Sequence, residues 1–386
     1  MKILHLIDDW VFADGPINAF KTFDVENKFV VLRYGGDKDL KKINNIGDVD
    51  VIEIGTEEYQ RLIKEDWDVI WVQGYNTQKC RFIADVPKNI IVVWSTWGYD
   101  YVQYSGQWLF GFRTTLLWLR KTSIRTIVGV LMKFLAGMLG IARFLPRAEC
   151  LFFRRVNYYS TVVPNERVFL SRILGRKAEQ ISFHYITARK SIDQVHPVVS
   201  LDSKKIWIGN SATLTNNHLD VFHMLKGHCD GYEILTPVSY TLNGEVRDSV
   251  TEAIEYSGRE LFGSHYRPIQ SFMPFTEYVN LMTTCSAFIF AHKRQQAVGN
   301  LVIALRCGGC VFMDSNSPVY KYFTSKGFYI YSLSDIKRGL EAVIKDFSPK
   351  QAINMRLMDE VRGRDVLIGE IRESVHYLDT EIRKSL

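Results

Sequence analysis

The sequence of 386 residues has no apolar run as long as a membrane-spanning helix. Its most apolar stretch, "TIVGVLMKFLAGMLGIA" (126–142), is 17 residues long and carries Lys133 near its centre. A spanning helix needs about 20 apolar residues, and a central lysine costs about 3 kcal/mol on insertion scales. The start, "MKILHLIDDW", carries one lysine and reaches acidic residues by position 8, which predicts a first strand and no signal peptide. These absences disfavour a membrane-spanning protein.

Cysteine is scarce, with six scattered residues, so reduced thiols are the expectation. Cys307 and Cys310 form a Cys-x-x-Cys, but redox boxes lie where a strand runs into a helix whose amino end lowers the thiol pKa. Here a predicted helix runs into a predicted strand, and no second pair or partnering histidine lies nearby. We therefore expect Gly308 to be a helix C-cap, Gly309 the turn, and Cys310 the first residue of a buried strand.

Acidic residues are nearly absent from residues 107–155, which contain nine basic side chains and one glutamate. This segment carries a charge of +8, whereas the rest of the chain carries −2. Its apolar side chains predict a helix pair at 107–147 that lies in a membrane interface, with Trp108 and Trp118 facing lipid. The basic residues expected to meet anionic headgroups are Arg113, Arg120, Lys121, Arg125, Lys133 and Arg143.

The alternative for 107–147 is an internal helical hairpin with a solvated basic face. Nucleic-acid binding is disfavoured, because the segment is basic and aliphatic and lacks the polar basic face of such proteins.

Short β-branched or aromatic runs alternate with helical stretches along the chain. Strands are predicted at 2–7, 28–34, 49–55, 67–74 and 89–98, and then at 204–208, 232–240, 259–263, 287–292, 310–313 and 327–332. This order predicts an α/β protein with two Rossmann-like domains at 1–190 and 200–350, each with a mostly parallel sheet. A polar stretch at 188–204 is the expected linker, and 351–386 are expected to be C-terminal helices.

Ligands collect beyond the carboxyl ends of strands in such sheets. In the first domain these positions hold Asp8, Asp9, Tyr75, Asn76 and Asp100. We expect an acceptor site there. If the transfer inverts the anomeric centre, a carboxylate of Asp8, Asp9 or Asp100 acts as general base. Turn capping is the alternative for each carboxylate.

Two strand-to-helix turns of the second domain are rich in hydrogen-bond donors. In "IGNSATLTNN" (208–217) a strand gives way to a tight turn and a helix that begins near Asn216. "HKRQQAVGN" (292–300) brings Lys293, two glutamine amides and the amino end of a helix. Both suit an anion, and neither is a Walker loop, since GK[ST] is absent. Simple helix capping or a solvated basic loop is the alternative for each.

The two turns together suit a nucleotide-sugar site, because a transferase must hold the departing diphosphate while its charge grows. The donor-binding residues predicted at these turns are Gly209, Asn210, Ser211, Thr213, Asn216, Arg294, Gln295, Gln296, Gly299 and Asn300.

No metal is expected. Two of the three Asp-x-Asp pairs, at 48–50 and 66–68, come just before strands, and the pair at 37–39 opens a charged turn. His218, His223 and His228 are five residues apart, which spreads them around a helix.

Four stretches resemble a known bacterial family: "WSTWGYDY", "IGNSATLTNNHLDVF", "ILTPVSY" and "FMPFTEYVNLMTTCSAFIFAHKRQQAVGNLVIALRCGGCVFM". They are similar to the TDP-N-acetylfucosamine:lipid II N-acetylfucosaminyltransferases of enterobacterial common antigen synthesis. The resemblance is patchy over the first domain and nearly continuous from 204 to 332. The long basic, apolar segment at 107–147 and Asn300 depart from that family.

The resemblance implies a GT-B glycosyltransferase, with two Rossmann-like domains facing across a cleft and a C-terminal helix crossing back to the first. It implies that Trp97, Gly98 and Asp100 lie at the cleft and that the two turns above line the donor diphosphate. The expected reaction moves an amino or deoxy sugar of the N-acetylfucosamine type from a nucleotide diphosphate, such as TDP, to a polyprenyl-diphosphate-linked saccharide. The expected location is the cytoplasmic face of the inner membrane. The alternative is a non-catalytic, membrane-docking nucleotide-binding module.

Overall fold

A computed structural model of the chain describes residues 1–10, 13–35, 38–145, 147–175, 177–183, 198–239, 245–271 and 273–385. By its internal contacts the chain divides into two compact units. The first comprises Met1–Gln107, Met132–Lys190 and Arg364–Leu386, and the second Trp108–Leu131 and Ser191–Gly363. Most of the predicted linker lies outside the described residues.

The strands, in chain order, are β1 (Lys2–Ile7), β2 (Glu26–Arg33), β3 (Val49–Glu53), β4 (Val69–Gln73), β5 (Ile91–Ser95), β6 (Tyr158–Ser160), β7 (Glu179–Gln180), β8 (Lys205–Ile208), β9 (Glu233–Pro237), β10 (Tyr266–Ile269), β11 (Ala287–Phe290), β12 (Cys310–Met313) and β13 (Tyr331–Ser332). The helices are α1 (Asp14–Phe20), α2 (Glu57–Lys64), α3 (Thr77–Asp85), α4 (Phe112–Lys121), α5 (Ile124–Met138), α6 (Ala148–Arg155), α7 (Arg167–Leu174), α8 (His218–Leu225), α9 (Glu245–Phe262), α10 (Phe275–Met282), α11 (Val298–Arg306), α12 (Pro318–Ser325), α13 (Leu340–Phe347), α14 (Gln351–Arg362) and α15 (Arg364–Ser385).

The first unit is built on a seven-stranded sheet with the order β3-β2-β1-β4-β5-β6-β7, and every neighbouring pair is parallel. Its central strands are apolar on both faces: β4, "VIWVQ", is buried throughout. Continuous burial of this kind is typical of a parallel sheet that is covered by helices on both sides. The two faces pack into separate hydrophobic clusters, and α15 contributes Ile371 and Leu378 to one of them.

The second unit contains a six-stranded parallel sheet with the order β10-β9-β8-β11-β12-β13. Its core includes Ile206 and Ile208 of β8, Ile289 of β11 and Phe312 of β12. The prediction of two α/β domains with parallel sheets is therefore confirmed.

One predicted strand of the second unit is wrong. "RELFG" (259–263) forms the last turn of the 18-residue helix α9 and the residue after it. Arg, Glu and Leu are strong helix formers, so the apolar pair in this stretch continues the helix. The strand comes later, at β10, which contains Pro268. Because β10 is at the edge of the sheet, the missing amide of a proline is tolerated there.

The prediction for the Cys-x-x-Cys is confirmed. α11 ends at Arg306, Gly308 has a φ of +78°, and β12 begins at Cys310. All six cysteines are free and buried. Burial raises the pKa of Cys307 to about 11 and that of Cys310 well above its ordinary value, which leaves inert thiols.

Residues 107–147 contain α4 and α5, and residues 108–131 group with the second unit. The sequence assigned the whole segment to the first domain. The expectation that Trp118 faces outward is also wrong: it is 7% exposed, and its ring lies 5.7 Å from that of Trp108. α4 places Thr114 and Trp118, four residues apart, on its buried face and turns Phe112 outward.

Across the described part of the chain, no helix combines the length and the apolarity that crossing a bilayer requires.

Candidate functional site

The order of the second sheet brings two loops side by side. β8 and β11 are neighbours, while β9 and β10 lie on one side of them and β12 and β13 on the other. The chain connections therefore reverse direction between β8 and β11. Ligands of open α/β sheets bind at such a switch point, beyond the carboxyl ends of the strands. Both donor turns predicted from the sequence follow these two strands.

Asn216 is fully buried and organises the loop after β8. Its side-chain oxygen accepts a hydrogen bond from the amide of Asn210 at 3.0 Å and lies 2.7 Å from Nε2 of His292, which follows β11. Its side-chain nitrogen donates to the carbonyl of Ser211 and to Oγ1 of Thr213, each at 2.9 Å. One asparagine thus fixes four neighbours across both loops.

Gly209 makes this arrangement sterically possible. Its φ is +69°, and a Cβ atom at this position would lie 2.6 Å from Oδ1 of Asn216 and 2.8 Å from Nε2 of His218. Both the left-handed backbone and the lack of space require glycine here.

Gln296 joins the two loops directly. Its side-chain nitrogen donates to Oδ1 of Asn210 at 3.1 Å and lies 3.3 Å from Oγ1 of Thr213. Its side-chain oxygen accepts from Oγ1 of Thr215 at 2.6 Å. Gln296 is 9% exposed, so these hydrogen bonds are largely protected from water. The structure therefore brings the two predicted donor turns into one polar network.

The other predicted donor residues of this loop differ in their environment. Arg294 is half-buried, and its Nη1 donates to the carbonyl of Gln295 at 2.7 Å. Gln295 is 2% exposed, and its side-chain oxygen has no hydrogen-bond partner within the described residues. Gly299 has open space around it in the first turn of α11. Asn300 donates to the hydroxyl of Tyr278 inside the unit, which indicates a structural role.

Two imidazoles are buried beneath the loops, and only His218 was considered from the sequence, as a surface or core histidine. His292 and His218 are 0% and 2% exposed. Burial lowers the pKa of His218 to about 3, and it lowers the pKa of His292 well below its ordinary value, so both rings are neutral near pH 7. The sequence did hold one indication, since His292 ends an apolar strand directly before the basic loop.

Acid should therefore destabilise the protein. His218, His292 and the core residue His5, whose pKa burial lowers to about 4, take up protons only on unfolding. Each such imidazole lowers the free energy of unfolding by about 1.4 kcal/mol per pH unit as the pH falls below about 6.5. Asp100 opposes this, because burial raises its pKa to about 6 and the folded state then binds a proton first. The net expected loss is about 3 kcal/mol per unit between about pH 6 and pH 5.

Urea unfolding between about pH 7 and pH 5 measures this slope. His218→Gln should flatten it, whereas His265→Gln, which replaces an exposed histidine, should leave it unchanged. A free energy of unfolding that stays constant over this range would contradict the assignment of neutral buried imidazoles.

The residues that follow the Asn216 loop hold the start of α4. Asn217, with a φ of +54°, accepts from the amide of Gly111 at 2.8 Å and donates to the carbonyl of Ala291 at 2.8 Å. The Asp220 carboxylate accepts from the amide and the hydroxyl of Thr114 at 3.0 and 2.6 Å, and so caps α4. Lys293 donates to the carbonyl of Phe110 at 2.8 Å. No local sequence pattern indicated these contacts, because the partners are 74 to 183 residues apart.

The first sheet has its own switch point between β1 and β4. Asp8 follows β1, and its two oxygens accept from Nδ2 of Asn76 at 2.9 Å and from Nζ of Lys79 at 2.7 Å. Lys79 is 1% exposed and also donates to the carbonyl of Gln73. The Asp8 side chain remains 22% exposed, so this carboxylate is oriented by buried groups and still reaches solvent.

Aromatic rings surround the same switch point. Trp10 packs edge-on against Trp97 with ring centroids 5.2 Å apart, and it stacks with Tyr99 at 6.5 Å. A Cβ atom on Gly74, which follows β4, would lie 3.5 Å from Trp97 and Tyr99. Tyr99 is 44% exposed. These rings form a partly open apolar surface beside Asp8.

Asp9 and Asp100 lie in structural positions. The carboxylate of Asp9 accepts from the amides of Lys41, Lys42 and Ile43, at 2.8 to 3.2 Å. Burial would raise its pKa, but these amides and Arg33 outweigh burial and hold it below the ordinary value. Asp100 is 2% exposed and accepts from the indole of Trp94 and the amide of Trp97.

The predicted cleft residues Tyr75, Asn76 and Gly98 lie in different environments. Tyr75 is 8% exposed and packs on Trp94 and Phe153 in the hydrophobic core, which raises the pKa of its hydroxyl. Asn76 lies at the switch point and caps α3 by accepting from the amide of Lys79. Gly98, with a φ of +76°, forms the turn between Trp97 and Tyr99.

The described acidic pairs serve as structural partners. Asp48 pairs with Lys21, Asp50 lies 3.3 Å from Lys28, and Asp68 accepts from the amide of Lys2 at 2.6 Å. The first residue of the pair at 37–39 lies outside the described residues. Among the residues that the structure describes, no three His, Cys, Asp or Glu side chains are grouped as ligands for a metal ion.

Comparisons with solved structures show the fold. The structure named "Trehalose-6-phosphate from E. coli bound with UDP-2-fluoro glucose" superimposes with a TM-score of 0.61 at 11% identity, over 100% of this chain and 98% of that one. Sucrose-phosphate synthase from Thermosynechococcus elongatus gives 0.63 at 9% identity, over 99% and 100%. An alpha-glucosyltransferase in complex with UDP gives 0.55 at 12% identity, over 98% of each chain. The chain has the GT-B fold that the sequence resemblance predicted.

The family resemblance is also confirmed. A model of "4-alpha-L-fucosyltransferase glycosyl transferase group 56" matches residues 75–339, well over half of the chain. The matched region contains both loops at the switch point of the second sheet. The chain therefore belongs to the 4-alpha-L-fucosyltransferase family of glycosyltransferases and is an enzyme that transfers sugars.

Proposed function

We propose that the protein transfers an amino or deoxy sugar of the N-acetylfucosamine type from a nucleotide diphosphate, with TDP as the first choice, to a polyprenyl-diphosphate-linked saccharide. The reaction takes place at the cytoplasmic face of the inner membrane, where the protein is bound peripherally. The network that joins Asn216 and Gln296 at the second switch point is the observation that carries this proposal.

The donor diphosphate binds at the two joined loops. The Gly209 turn lets Asn216 pack against the backbone and shape the loop after β8. The amino end of α11 directs a positive dipole to the same region. Arg294 adds a guanidinium, which matches phosphate oxygens in a bidentate geometry. Two of the similar structures hold UDP or a UDP sugar, which agrees with a nucleotide-sugar donor.

We propose that the reaction needs no metal ion. The charge that develops on the departing diphosphate is met by Arg294 and the helix dipole, because fixed dipoles and cations stabilise such charge without reorganisation. Transfer activity that persists after treatment with a chelator is the expected result.

The acceptor saccharide binds at the switch point of the first sheet. Trp10 and Tyr99 provide apolar ring surfaces on which a sugar can pack, and the buried Trp97 ring supports Trp10 from behind. Asp8 is the general base, since Asp9 is held by three backbone amides and Asp100 is 2% exposed and cannot reach an acceptor. A carboxylate in this role must reach the hydroxyl that loses its proton, and the exposed edge of Asp8 permits this.

The lipid part of the acceptor places the reaction at a membrane. Between residues 112 and 141, α4, α5 and the turn after them expose large apolar side chains, including Phe112, Ile124 and Leu139 at 76%, 80% and 71%. Basic residues lie among them, and acidic residues are absent from 107–148. Apolar and basic side chains on one helical segment favour the interface of an anionic membrane.

A thermal-shift screen over nucleoside diphosphates and their sugars tests the donor site. A ligand at 100 times its dissociation constant stabilises a protein by about 2.7 kcal/mol, so TDP and TDP sugars should raise the melting temperature. Gln296→Ala should reduce this shift because it removes the hydrogen bonds that position Asn210 and Thr215 in the proposed donor site. Gln270→Ala is the matched control, since Gln270 is exposed and lies outside both loops.

Transfer from the stabilising donor to a polyprenyl-diphosphate saccharide then tests the reaction. Nucleotide binding without transfer to any lipid-linked acceptor would support the non-catalytic module instead. If no nucleotide stabilises the wild-type protein, the proposed donor site is excluded.

A further inference from the structure

A basic cavity of about 340 Å³ opens beside α4 on the second unit. It is lined by Arg113 of α4, by α8, by the turn that follows α8 and by Lys337. The lining residues that carry or can carry positive charge are Arg113, His223, Lys226, His228 and Lys337, and the single acidic one is Asp220. Neither the donor loops nor the reaction uses these residues.

The cavity keeps a net positive charge because Arg113, Lys226 and Lys337 outnumber its single carboxylate, which hydrogen bonds hold against the start of α4. The oxygens of Asp220 accept from the amides of Arg113 and Thr114 at 2.9 and 3.0 Å and from the Thr114 hydroxyl at 2.6 Å. Within the described residues, Arg113, Lys226 and Lys337 form no ion pair. Burial and then the nearby Arg113 and Lys226 lower the pKa of His223, as expected in a cationic cavity.

The rim of the cavity is apolar and exposed. Phe112 lines it, and Phe112, Leu116 and Leu119 are 76%, 38% and 44% exposed at positions i, i+4 and i+7 of α4. The opposite face of the helix, with Thr114 and Trp118, is buried. α4 thus presents an exposed apolar stripe next to a basic cavity. Exposed apolar stripes of this kind mark surfaces that contact a membrane or another molecule.

We propose that this cavity seats the phosphate headgroup of an anionic phospholipid, whose acyl chains lie against the Phe112–Leu116–Leu119 stripe. An anionic phospholipid uses both features, because its headgroup meets the basic residues and its acyl chains pack on the apolar stripe. A soluble anion would not use the apolar stripe, and a neutral lipid would not use the basic residues. This inference rests on the proposed function, and it assigns the membrane contact in that proposal to a defined site. Its lining runs from Asp220 of α8 to the turn after that helix, and it includes no residue of the two donor loops.

Flotation of the full chain with vesicles tests this site. One vesicle is pure phosphatidylcholine, and the other contains roughly one third phosphatidylglycerol. The wild-type protein should float with the anionic vesicles and stay in solution with the neutral ones. Lys226→Gln/Lys337→Gln should weaken vesicle binding roughly 30-fold, since each basic residue near an anionic surface contributes about a factor of 5.

Lys321→Gln/Lys345→Gln is the matched control. It removes the same charge from two exposed lysines of the second unit that lie outside the cavity, so binding should change by less than roughly twofold. Leu116→Ser/Leu119→Ser should also abolish flotation, because it removes the apolar stripe.

Equal losses in the two lysine pairs would overturn the site, as would equal binding to neutral vesicles or no binding by the wild-type protein. The melting-temperature shift with TDP is measured in parallel and should be the same in every variant. A normal nucleotide shift with failed flotation refutes the headgroup site and leaves the donor site standing. Flotation without any nucleotide shift refutes the donor site instead.

Discussion

Replacement of Gly209 by alanine should abolish sugar transfer and lower the free energy of unfolding by about 3 kcal/mol. The new Cβ atom would lie 2.6 Å from Oδ1 of Asn216, in a backbone with a φ of +69°. Asn216 must then move, and its hydrogen bonds to Asn210, Ser211 and Thr213 are lost. Because these bonds shape the proposed donor site, we expect the rate to fall by about 100-fold or more. Urea unfolding and steady-state transfer rates measure the two effects.

Gly231→Ala is the control that measures the cost of the left-handed backbone without a steric clash. Gly231 has a φ of +76°, and a Cβ atom there would meet no atom within 4 Å. This variant should lose only about 1 kcal/mol, and its transfer rate should stay at the wild-type value. If Gly209→Ala loses no more stability than Gly231→Ala, the new Cβ atom does not disrupt the hydrogen bonds of Asn216. If it also keeps its activity, the donor site lies elsewhere.

The positions of the strands and of the loops that follow them could be predicted because they depend on short runs of neighbouring residues. An apolar, β-branched run such as "KILHLI" forms a buried strand wherever it lies in a parallel sheet, and β1 was predicted from Lys2 to Ile7 as it is observed. Loops at the carboxyl ends follow from the direction of the strands. Asn210 and Gln296 were therefore placed in two loops at the carboxyl ends of strands, as observed, although their mutual hydrogen bond was not foreseen.

The contacts that decide a side chain's role are long-range, and no local pattern contains them. Asp9 follows β1 directly after Asp8, yet its partners are backbone amides 32 to 34 residues away. Trp118 belongs to an apolar, basic segment, but its place on the buried face of α4 depends on what that helix packs against. Asp220 looks like an ordinary helix residue in the sequence, and only the fold shows that it caps α4. The composition of a segment predicts that it forms a basic, apolar surface, whereas tertiary packing determines which of its side chains are exposed.

Asp8→Asn should reduce kcat by about 10²- to 10⁴-fold, the range that a general base contributes. Asparagine keeps the size of the side chain, and its one carbonyl oxygen can still accept from Lys79, so substrate binding should change little. Its amide nitrogen then faces the Asn76 donor, and that hydrogen bond is lost. The difficulty is that Lys79 is 1% exposed and loses its counter-charge. An uncompensated buried charge costs about 3 to 5 kcal/mol, so a loss of activity alone does not distinguish catalysis from instability.

The double variant Asp8→Asn/Lys79→Met resolves this. Methionine fills much of the space of the lysine chain without a charge, so the stability should recover relative to Asp8→Asn, while kcat should stay low. Asp9→Asn is the control carboxylate: it weakens the hydrogen bonds to the amides of Lys41 and Ile43, so it should lower the melting temperature and leave the kcat of the folded enzyme unchanged. Recovery of kcat together with stability in the double variant would show that Asp8 only neutralises Lys79. A low kcat in a stable double variant places the proton transfer on Asp8, because burial, charge balance and fold are then all restored.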